Sequence, residues 1–439
     1  MIHIITSFYI SNLNSNKDND RNIELQTCLQ KNLDNPLIEK VHLYLDNNKA
    51  LEYIQTLNQS KIVIISIGYQ PLYSDLFNYA NTELKDKICM ITNSDIYLHK
   101  CDIDVLKKVN ESNTVFAMTR YEHDFTCLQI YRFYGSHDSF IFKSPINIDI
   151  DSIKHNQNVL GSENVVCYEL QKSNNTLFNP CYQIRIVHLH VSALRNPRGR
   201  INQTRSSWCR PHIILSDVDK VSLVISTHNN FNSLLNMIKS VKNQTYKNIE
   251  IIVVNNCSTQ QEYYDYDWNN NNIIITHLKE KLNGSQHTLG IDLSTGKYIT
   301  LCTDNDYWFP KKLEMQINEM IKTDCKMSCA DGLIGNDDYD SKKIYKKYNA
   351  EYYYETLKNI HKRKESSYLD KGFPKIWNLE FLKVHNCIIK TSVIIHRDIV
   401  NKTGKFINIS YRQDYDYWLQ ALQYTDCVYI EDNCFYYKL

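Results

Sequence analysis

The segment Cys302-Thr303-Asp304-Asn305-Asp306-Tyr307-Trp308-Phe309-Pro310 is the most informative part of this chain. It follows an apolar, β-prone run at 298–301 and precedes a segment of helical character that starts at Lys311. Because the chain turns at the end of a strand, two carboxylates spaced i, i+2 there can face one hard cation. Mg²⁺ and Mn²⁺ prefer oxygen ligands and are usually held by one or two carboxylates together with substrate phosphates. The stretch therefore predicts a metal and diphosphate site, although Asp-x-Asp alone is a weak signal that occurs in many surface loops.

The composition limits the class of protein. A chain of 439 residues is too long for one ordinary core, so we predict two domains. With Lys+Arg 50 and Asp+Glu 49, the net charge of +1 does not favour nucleic acid or an anionic membrane as a partner. The 14 cysteines include no C-x-x-C pair, and we expect reduced thiols. Residues 1–7 lack signal-peptide features and no run could span a bilayer, which predicts a cytoplasmic protein without a transmembrane segment.

Strands alternate with helices in the first half, which indicates βαβ units and a mainly parallel sheet. The predicted strands are 2–6, 41–45, 61–66 and 88–92, with helices near 22–33 and 49–57. Asp95 follows the strand at 88–92 just as Asp304 follows the strand at 298–301, so we predict two copies of one fold. Further on, His188 and His190 share one face of a strand, which suits a metal ion but equally suits two surface imidazoles.

The second half repeats the pattern, with strands at 221–226, 249–254 and 273–276 and a helix at 233–242. Polar residues follow these strands, at the edge where open α/β sheets bind nucleotides. The first turn is Thr227-His228-Asn229, without a glycine-rich fingerprint, so a metal ion must carry the phosphate charge. We also predict that Gly296 ends a helix in the left-handed conformation. A basic, turn-rich linker at 197–219 separates predicted domains 1–196 and 220–439.

Four motifs in order make the second half resemble the family 2 glycosyltransferases of the GT-A fold. They are an opening strand and loop at 221–229, a second-strand signature at 243–254, Ser294 to Asp306 with its D-x-D, and 413–419, similar to the family's E-D-x-D-x-W-L segment. The resemblance implies an α/β fold with GT-A domains in tandem and inverting transfer from a nucleotide-diphosphate sugar to a glycan or other acceptor, with Mn²⁺ or Mg²⁺.

The resemblance also assigns roles to single residues. It makes Asp306 the direct metal ligand, with Asp304 assisting through the ribose or an ordered water, and Asp414 the catalytic base. Donor contacts are implied at Thr227, Asn229, Asn255, Asn256 and Asp304. Without the other motifs, Asp414 and Asp416 would be interpreted as carboxylates favoured at a helix N-terminus.

The chain departs from the family pattern in ways that leave the donor open. Asn255-Asn256 replace an acidic pair, and His287-Thr288 replace an Arg-Asn, which removes a cationic partner for the donor. The alternatives are a nucleotide-sugar or glycan-binding protein that has lost its chemistry and a sugar-phosphate nucleotidyltransferase. The latter would normally have a glycine-rich, basic loop after its first strand.

The first half resembles, more loosely, a second GT-A-like transferase module. Carried over, Asp95 would belong to a degenerate D-x-D, and His188 or His190 would be a late metal ligand. Asp138 or Glu163 would be the acidic residue on the acceptor side. A second catalytic centre and a non-catalytic scaffold are equally compatible with this half, and the oligomeric state stays open.

Overall fold

The computed structural model describes residues 1–10, 16–45, 47–57, 59–123, 137–157, 159–190, 192, 201, 204–215, 219–282, 286–406 and 412–439. The chain divides into two compact units, Met1–Leu215 and Ser216–Leu439. Each unit contains its own sheets and its own buried core.

The first unit is built on a seven-stranded sheet of order β3-β2-β1-β4-β8-β6-β9, with a small sheet β5-β10-β7. Strands β1 to β4 are parallel, and β8 is antiparallel to both β4 and β6. The strands are β1 (Ile2–Phe8), β2 (Ile38–Leu45), β3 (Ile62–Ser66), β4 (Ile88–Thr92), β5 (Ile96–Cys101), β6 (Thr114–Met118), β7 (Tyr121–Glu122), β8 (Ser139–Lys143), β9 (Thr176–Phe178) and β10 (Ile184–His188). The helices are α1 (Asn16–Asp34), α2 (Asn48–Leu57), α3 (Tyr73–Glu83), α4 (Ile103–Leu106) and α5 (Ser162–Lys172).

The second unit has a ten-stranded sheet with the path β13-β12-β11-β14-β19-β16-β20-β15, and β17 and β18 pair beside it. The strands are β11 (Val221–Thr227), β12 (Ile249–Asn255), β13 (Ile273–His277), β14 (Tyr298–Thr303), β15 (Tyr307–Trp308), β16 (Met327–Gly335), β17 (Lys346–Lys347), β18 (Ile376–Trp377), β19 (Ile394–His396) and β20 (Cys427–Lys438). The helices are α6 (Phe231–Lys242), α7 (Glu262–Asp265), α8 (Gln286–Leu293), α9 (Lys312–Thr323), α10 (Tyr354–Arg363), α11 (Leu379–Val384), α12 (Arg397–Thr403) and α13 (Gln413–Ala421).

Both main sheets follow one topology. In each sheet, the first four strands of the unit lie in the order third, second, first, fourth. The fourth strand pairs with an antiparallel strand, β8 or β19. That strand pairs in turn with β6 or β16, which has a parallel neighbour on its other side. Asp95 follows β4 and Asp304 follows β14, the fourth strand in each case. The prediction of an α/β fold with two GT-A domains in tandem is confirmed.

Helix α6 shows how the sequence produces these layers. Its buried apolar residues recur at intervals of three and four, which places them on one helical face against the sheet. They are Phe231, Leu234, Met237, Ile238 and Val241. At about 25 cal/mol per Å² of apolar surface, burying each of the larger side chains contributes roughly 1.5–3 kcal/mol. The face thus fixes the helix beside the strand whose end carries Thr227.

The predicted linker differs from the structure. Residues 204–215 belong to the first unit, because Ile214 is buried there and its backbone exchanges two hydrogen bonds with the Gln183 side chain. The basic composition of this segment gives no sign of that pairing. Ile201 and Asp219 are also described. The rest of the predicted linker, residues 197–200, 202–203 and 216–218, lies outside the described residues.

The prediction for Gly296 was also wrong, because helix α8 ends earlier and Gly296 does not have a positive φ. Its small size is required instead by a close approach to β11. A Cβ atom at this position would lie 2.5 Å from Oγ of Ser222 and 2.7 Å from the carbonyl oxygen of Lys220.

Two further features concern the whole described part of the chain. Every cysteine in it is a free thiol. No helix in the described ranges combines the length and the apolar character that crossing a membrane would require.

Candidate functional site

A cavity of about 610 Å³ lies in the second unit, where the carboxyl ends of β11 and β14 meet. Its wall includes four residues singled out from the sequence, namely Thr227, Asp304, Asp306 and Asp414. These residues come from three separate segments of the chain. Parallel pairing of β11 with β14 brings the first three together, and the start of α13 adds the fourth.

Asp304 is fixed by the loop that follows β11. Its Oδ2 atom accepts a hydrogen bond of 2.7 Å from the Thr227 hydroxyl, and Oδ1 accepts one of 3.3 Å from the Asn230 amide. Burial raises the pKa of the Asp304 carboxyl above its usual value, and these hydrogen bonds act in the opposite direction. The carboxylate is thereby oriented before any ligand is bound.

Asp306 is buried at the floor of the cavity, with 6% of its surface exposed. Its Oδ2 atom accepts hydrogen bonds from the Thr303 amide at 2.8 Å and the Thr303 hydroxyl at 3.0 Å. Burial nevertheless raises the pKa of the Asp306 carboxyl to about 6. Neither Asp304 nor Asp306 forms an ion pair with a described side chain, so a buried carboxylate pair here lacks a positive partner. Oxygen ligands of this kind fit Mn²⁺ or Mg²⁺.

Asp414 approaches the cavity from the first turn of α13. Its Oδ1 atom is shielded from solvent and accepts no hydrogen bond, although Nζ of Lys390 lies 3.4 Å away. A buried carboxylate oxygen without a donor is costly to maintain. It is also the arrangement that a hydroxyl group entering the cavity would satisfy.

The predicted donor contacts divide into two groups. Thr227 lines the cavity, whereas the other three side chains hydrogen-bond within the protein. The Asn229 side chain accepts a hydrogen bond from the Thr259 amide. The Asn255 side chain forms hydrogen bonds with His277 and with the Ser258 amide. The Asn256 side chain forms hydrogen bonds with the backbone amide and the carbonyl group of Leu282. Their roles in donor binding stay predictions; in this structure they shape the loops after β11 and β12.

Sequence reasoning missed Lys390, which lines the cavity just before the segment that leads into β19. Its Nζ atom lies 2.9 Å from Nε2 of His287, a residue noted in the sequence only for the loss of an arginine. The two residues are 103 positions apart, and no local pattern connects them.

In the first unit, the structure brings Asp95, His188 and His190 together, with one ligand atom of each within 4.8 Å of the others. Oδ2 of Asp95 accepts a hydrogen bond of 2.8 Å from Arg21 and lies 3.2 Å from Nε2 of His188. Nδ1 of His188 contacts Glu122 at 3.1 Å. Burial alone would lower the pKa of His188, but its hydrogen bonds to Asp95 and Glu122 raise that pKa to about 9. In the metal-free protein the imidazole is therefore protonated and bridges two carboxylates.

The remaining predicted residues of the first unit lie in more closed surroundings. Asp138 is buried and accepts a 2.7 Å hydrogen bond from Arg120, which also binds Glu122 at 3.1 Å. Glu163 lies in the first turn of α5, where burial and then the charge of Asp138 raise its pKa to about 8. A carboxyl group that titrates near neutral pH is suited to proton transfer. The catalytic roles of Asp95, Asp138 and Glu163 stay predictions.

Comparison with known proteins agrees with the geometry of the second unit. Residues 222–398, from β11 into α12, match the sequence model of Glycosyl transferase family 2. The second unit carries a family 2 glycosyltransferase domain. This domain includes Asp304 and Asp306, whereas Asp414 lies beyond the matched residues.

Several relatives of this chain are glycosyltransferases by name. An uncharacterized glycosyltransferase of Rickettsia prowazekii is 30% identical over 205 residues, which are 46% of this chain and 58% of the relative. The enzyme WfaP of Escherichia coli, a UDP-Glc:alpha-D-GlcNAc-diphosphoundecaprenol beta-1,3-glucosyltransferase, is 28% identical over 24% of this chain and 42% of its own. The chain spans between 16% and 58% of the length of the rickettsial relatives it matches.

Among solved structures, S. aureus TarS 1-349 in complex with UDP-GlcNAc aligns with 50% of this chain and 58% of its own. The sequence identity is 13% and the TM-score is 0.39. The assignment of the fold therefore depends on the strand order of the two units themselves.

Proposed function

We propose that the second unit is an inverting glycosyltransferase that moves a sugar from a nucleotide-diphosphate donor to a hydroxyl group of a glycan or glycoconjugate. The observation that carries this proposal is the composition of one cavity. It contains a buried carboxylate pair, Asp304 and Asp306, and a separate carboxylate, Asp414, with a shielded oxygen that accepts no hydrogen bond. The first pair suits a metal ion with a diphosphate, and the third carboxylate suits an acceptor hydroxyl. A simple binding protein would not need both.

Asp306, with assistance from Asp304, would hold Mn²⁺ or Mg²⁺. A bound divalent cation neutralises charge on the diphosphate as that group leaves. The chain's own contribution is orientation, because the hydrogen bonds from Thr227, Asn230 and Thr303 hold both carboxylates in place.

Asp414 would act on the acceptor. The hydroxyl proton moves to the Asp414 carboxylate while the hydroxyl oxygen forms its bond to the anomeric carbon. The bond between that carbon and the diphosphate oxygen breaks, and its electron pair leaves with the nucleoside diphosphate. Attack opposite the leaving group inverts the anomeric centre without a covalent intermediate.

The two alternative functions are less well supported. A nucleotidyltransferase would need a glycine-rich basic loop after β11, where this chain has Thr227-His228-Asn229. A non-catalytic binding protein is favoured by the replacement of acidic donor contacts with Asn255 and Asn256. Retention of Asp306 and Asp414 in one cavity favours the enzyme.

The test is release of nucleoside diphosphate from UDP-, GDP- and dTDP-sugars with Mn²⁺, comparing the intact chain with Asp414→Asn. The name of WfaP makes UDP-glucose the first donor to try. The proposal expects turnover of one donor that rises when a matching acceptor is added and falls about 10²–10⁴-fold in the variant. Donor binding without turnover, with every acceptor of a glycan panel, would support the binding protein instead.

A second transferase centre in the first unit is favoured by the cluster of Asp95, His188 and His190. A divalent cation there would compete with Arg21, which already binds Oδ2 of Asp95. The test uses a chain with Asp306→Asn, so that the second unit is disabled, and adds Asp95→Asn. Residual turnover that disappears on the second substitution supports two centres. Turnover that is already absent in the first variant supports a scaffold.

A further inference from the structure

Lys390 has two partners, namely Asp414, which lines the cavity, and His287, which is buried and does not line it. Its Nζ atom lies 2.9 Å from Nε2 of His287 and 3.4 Å from Oδ1 of Asp414. The side chain is 19% exposed, so most of its stem is packed while the ammonium group reaches the cavity. The position of this positive charge is thus fixed by the fold.

His287 holds the lysine without neutralising it. The ring lies on α8 and is 1% exposed. Burial, followed by the neighbouring charge of Lys390, lowers the pKa of His287 well below its usual value. A neutral ring accepts a hydrogen bond from the ammonium group through Nε2, which places its own proton on Nδ1. That Nδ1 atom is buried and has no hydrogen-bond partner, so the pair is maintained at a cost.

The carboxylates around the cavity favour such a cation. Asp304, Asp306 and Asp414 line it together with two lysines, Lys390 and Lys438. Lys438 pairs with Asp338 at 2.8 Å, whereas Lys390 is among the groups whose charge acts on Asp306. With a divalent cation bound, Lys390 supplies the remaining positive charge that balances the three carboxylates. A diphosphate adds further negative charge, and the loop after β11 has no glycine-rich phosphate cradle.

We propose that Lys390, positioned by His287, binds the terminal phosphate of the donor's nucleoside diphosphate. This inference depends on the function proposed for the second unit and adds a phosphate-binding residue to it. An ammonium group is a compact point charge that commonly binds phosphate. Here it would stabilise the charge that develops on the leaving phosphate as the bond to the sugar breaks. His287 is a positioning residue, because it acts through Lys390.

The alternative is that Lys390 serves only as the ion-pair partner of Asp414. The two roles differ in which nucleotide senses the lysine. A contact to the terminal phosphate strengthens binding of a nucleoside diphosphate and leaves the monophosphate unaffected. An ion pair with Asp414 alone has no such preference.

The experiment measures the affinity of the full chain for nucleotides by calorimetry in the presence of Mn²⁺. Each nucleoside diphosphate is compared with its monophosphate: UDP with UMP, GDP with GMP and dTDP with dTMP. We expect Lys390→Met to weaken diphosphate binding about tenfold while monophosphate affinity stays within about twofold. Lys390→Arg should retain part of the preference. Lys438→Met is the matched control, because this lysine lines the same cavity but pairs with Asp338; it should leave the diphosphate preference unchanged.

The positioning role of His287 has its own comparison. His287→Leu should reproduce the diphosphate-selective loss of affinity. His287→Gln, which keeps a hydrogen-bond acceptor, should restore the affinity for nucleoside diphosphate. Equal losses for diphosphate and monophosphate, or no loss, in Lys390→Met would overturn the inference; Lys390→Gln replaces that variant if it does not fold. Failure of the intact chain to bind any nucleoside diphosphate would instead refute the proposed function, and it is recognised before any variant is compared.

Discussion

Asp306→Asn should stabilise the metal-free second unit at neutral pH and remove its response to Mn²⁺. Asparagine keeps the size of the side chain and an oxygen that accepts hydrogen bonds from the amide and hydroxyl of Thr303. It removes a charge that burial makes unfavourable, as the rise of the Asp306 pKa from 3.8 to about 6 indicates.

The sign follows from that pKa. A carboxyl group whose pKa is raised in the folded state favours folding in its protonated form. The cost of ionising it is absent below about pH 4, grows as the pH rises, and is complete above about pH 6. A difference of about two pH units corresponds to roughly 3 kcal/mol as an upper value. For a unit of this size, that is a rise in Tm of at most roughly 6–12 °C.

The tryptophans provide the assay. Trp268, Trp308, Trp377 and Trp418 are buried in the second unit, whereas Trp208 of the first unit is 52% exposed. The change in tryptophan emission on heating therefore reports mainly on the second unit. The melts are run in EDTA at pH 7.5 and at pH 4.5, with and without excess Mn²⁺ replacing the chelator.

The variant should melt above the intact chain at pH 7.5, and this advantage should shrink to about a third at pH 4.5, where the carboxyl of folded Asp306 is mostly protonated. At a Mn²⁺ concentration 100 times its Kd, the intact chain should gain about 2.7 kcal/mol, and the variant should gain nothing in the second unit. Equal stability at pH 7.5, or the same advantage at both pH values, would refute the argument that Asp306 is a buried unpaired carboxylate.

Three further predictions test other parts of the structure. Asp414→Asn should lower kcat about 10²–10⁴-fold while calorimetry finds the affinity for nucleoside diphosphate unchanged, since this residue acts on the acceptor; weaker nucleotide binding would argue against that role. His188→Gln in metal-free buffer should destabilise the first unit in urea below about pH 6.5, and the deficit should shrink as the pH rises through about 9, where the charge of His188 is lost; a deficit that is constant with pH would contradict the ion-pair account. Gly296→Ala should cost roughly 1–3 kcal/mol of stability in urea, because its Cβ would lie 2.5 Å from Oγ of Ser222; a neutral effect would show that β11 gives way.

The sequence predicted the first four strands of each main sheet, which are parallel, because their apolar runs are bounded by clear turns and separated by helices. It also predicted that Asp304 and Asp306 lie at the end of a fourth strand, since carboxylates in a strand-to-helix turn have few other positions. The resemblance to a family placed Asp414 near them. Each of these signals is local in sequence or carried by a short motif.

What could not be predicted depends on contacts between distant segments. Lys390 meets His287 only after β14 and β19 have paired, and neither residue stands out in its own segment. Asn255 and Asn256 follow β12 as donor-binding residues would, but their amides are used to hold the next loops. Gly296 was predicted to end a helix, because the close approach of β11 that requires a glycine there is not visible in the sequence.

Turnover of the accepted nucleotide sugar by two variants of the full chain, Asp306→Asn and Asp95→Asn, measured in one Mn²⁺ assay, distinguishes transfer in the second unit from transfer in the first. If the cavity of the second unit performs the transfer, Asp306→Asn abolishes turnover of at least one donor that Asp95→Asn still uses at the rate of the intact chain. The reverse pattern, with turnover of every donor lost in Asp95→Asn and kept in Asp306→Asn, would contradict the account and place the chemistry in the first unit.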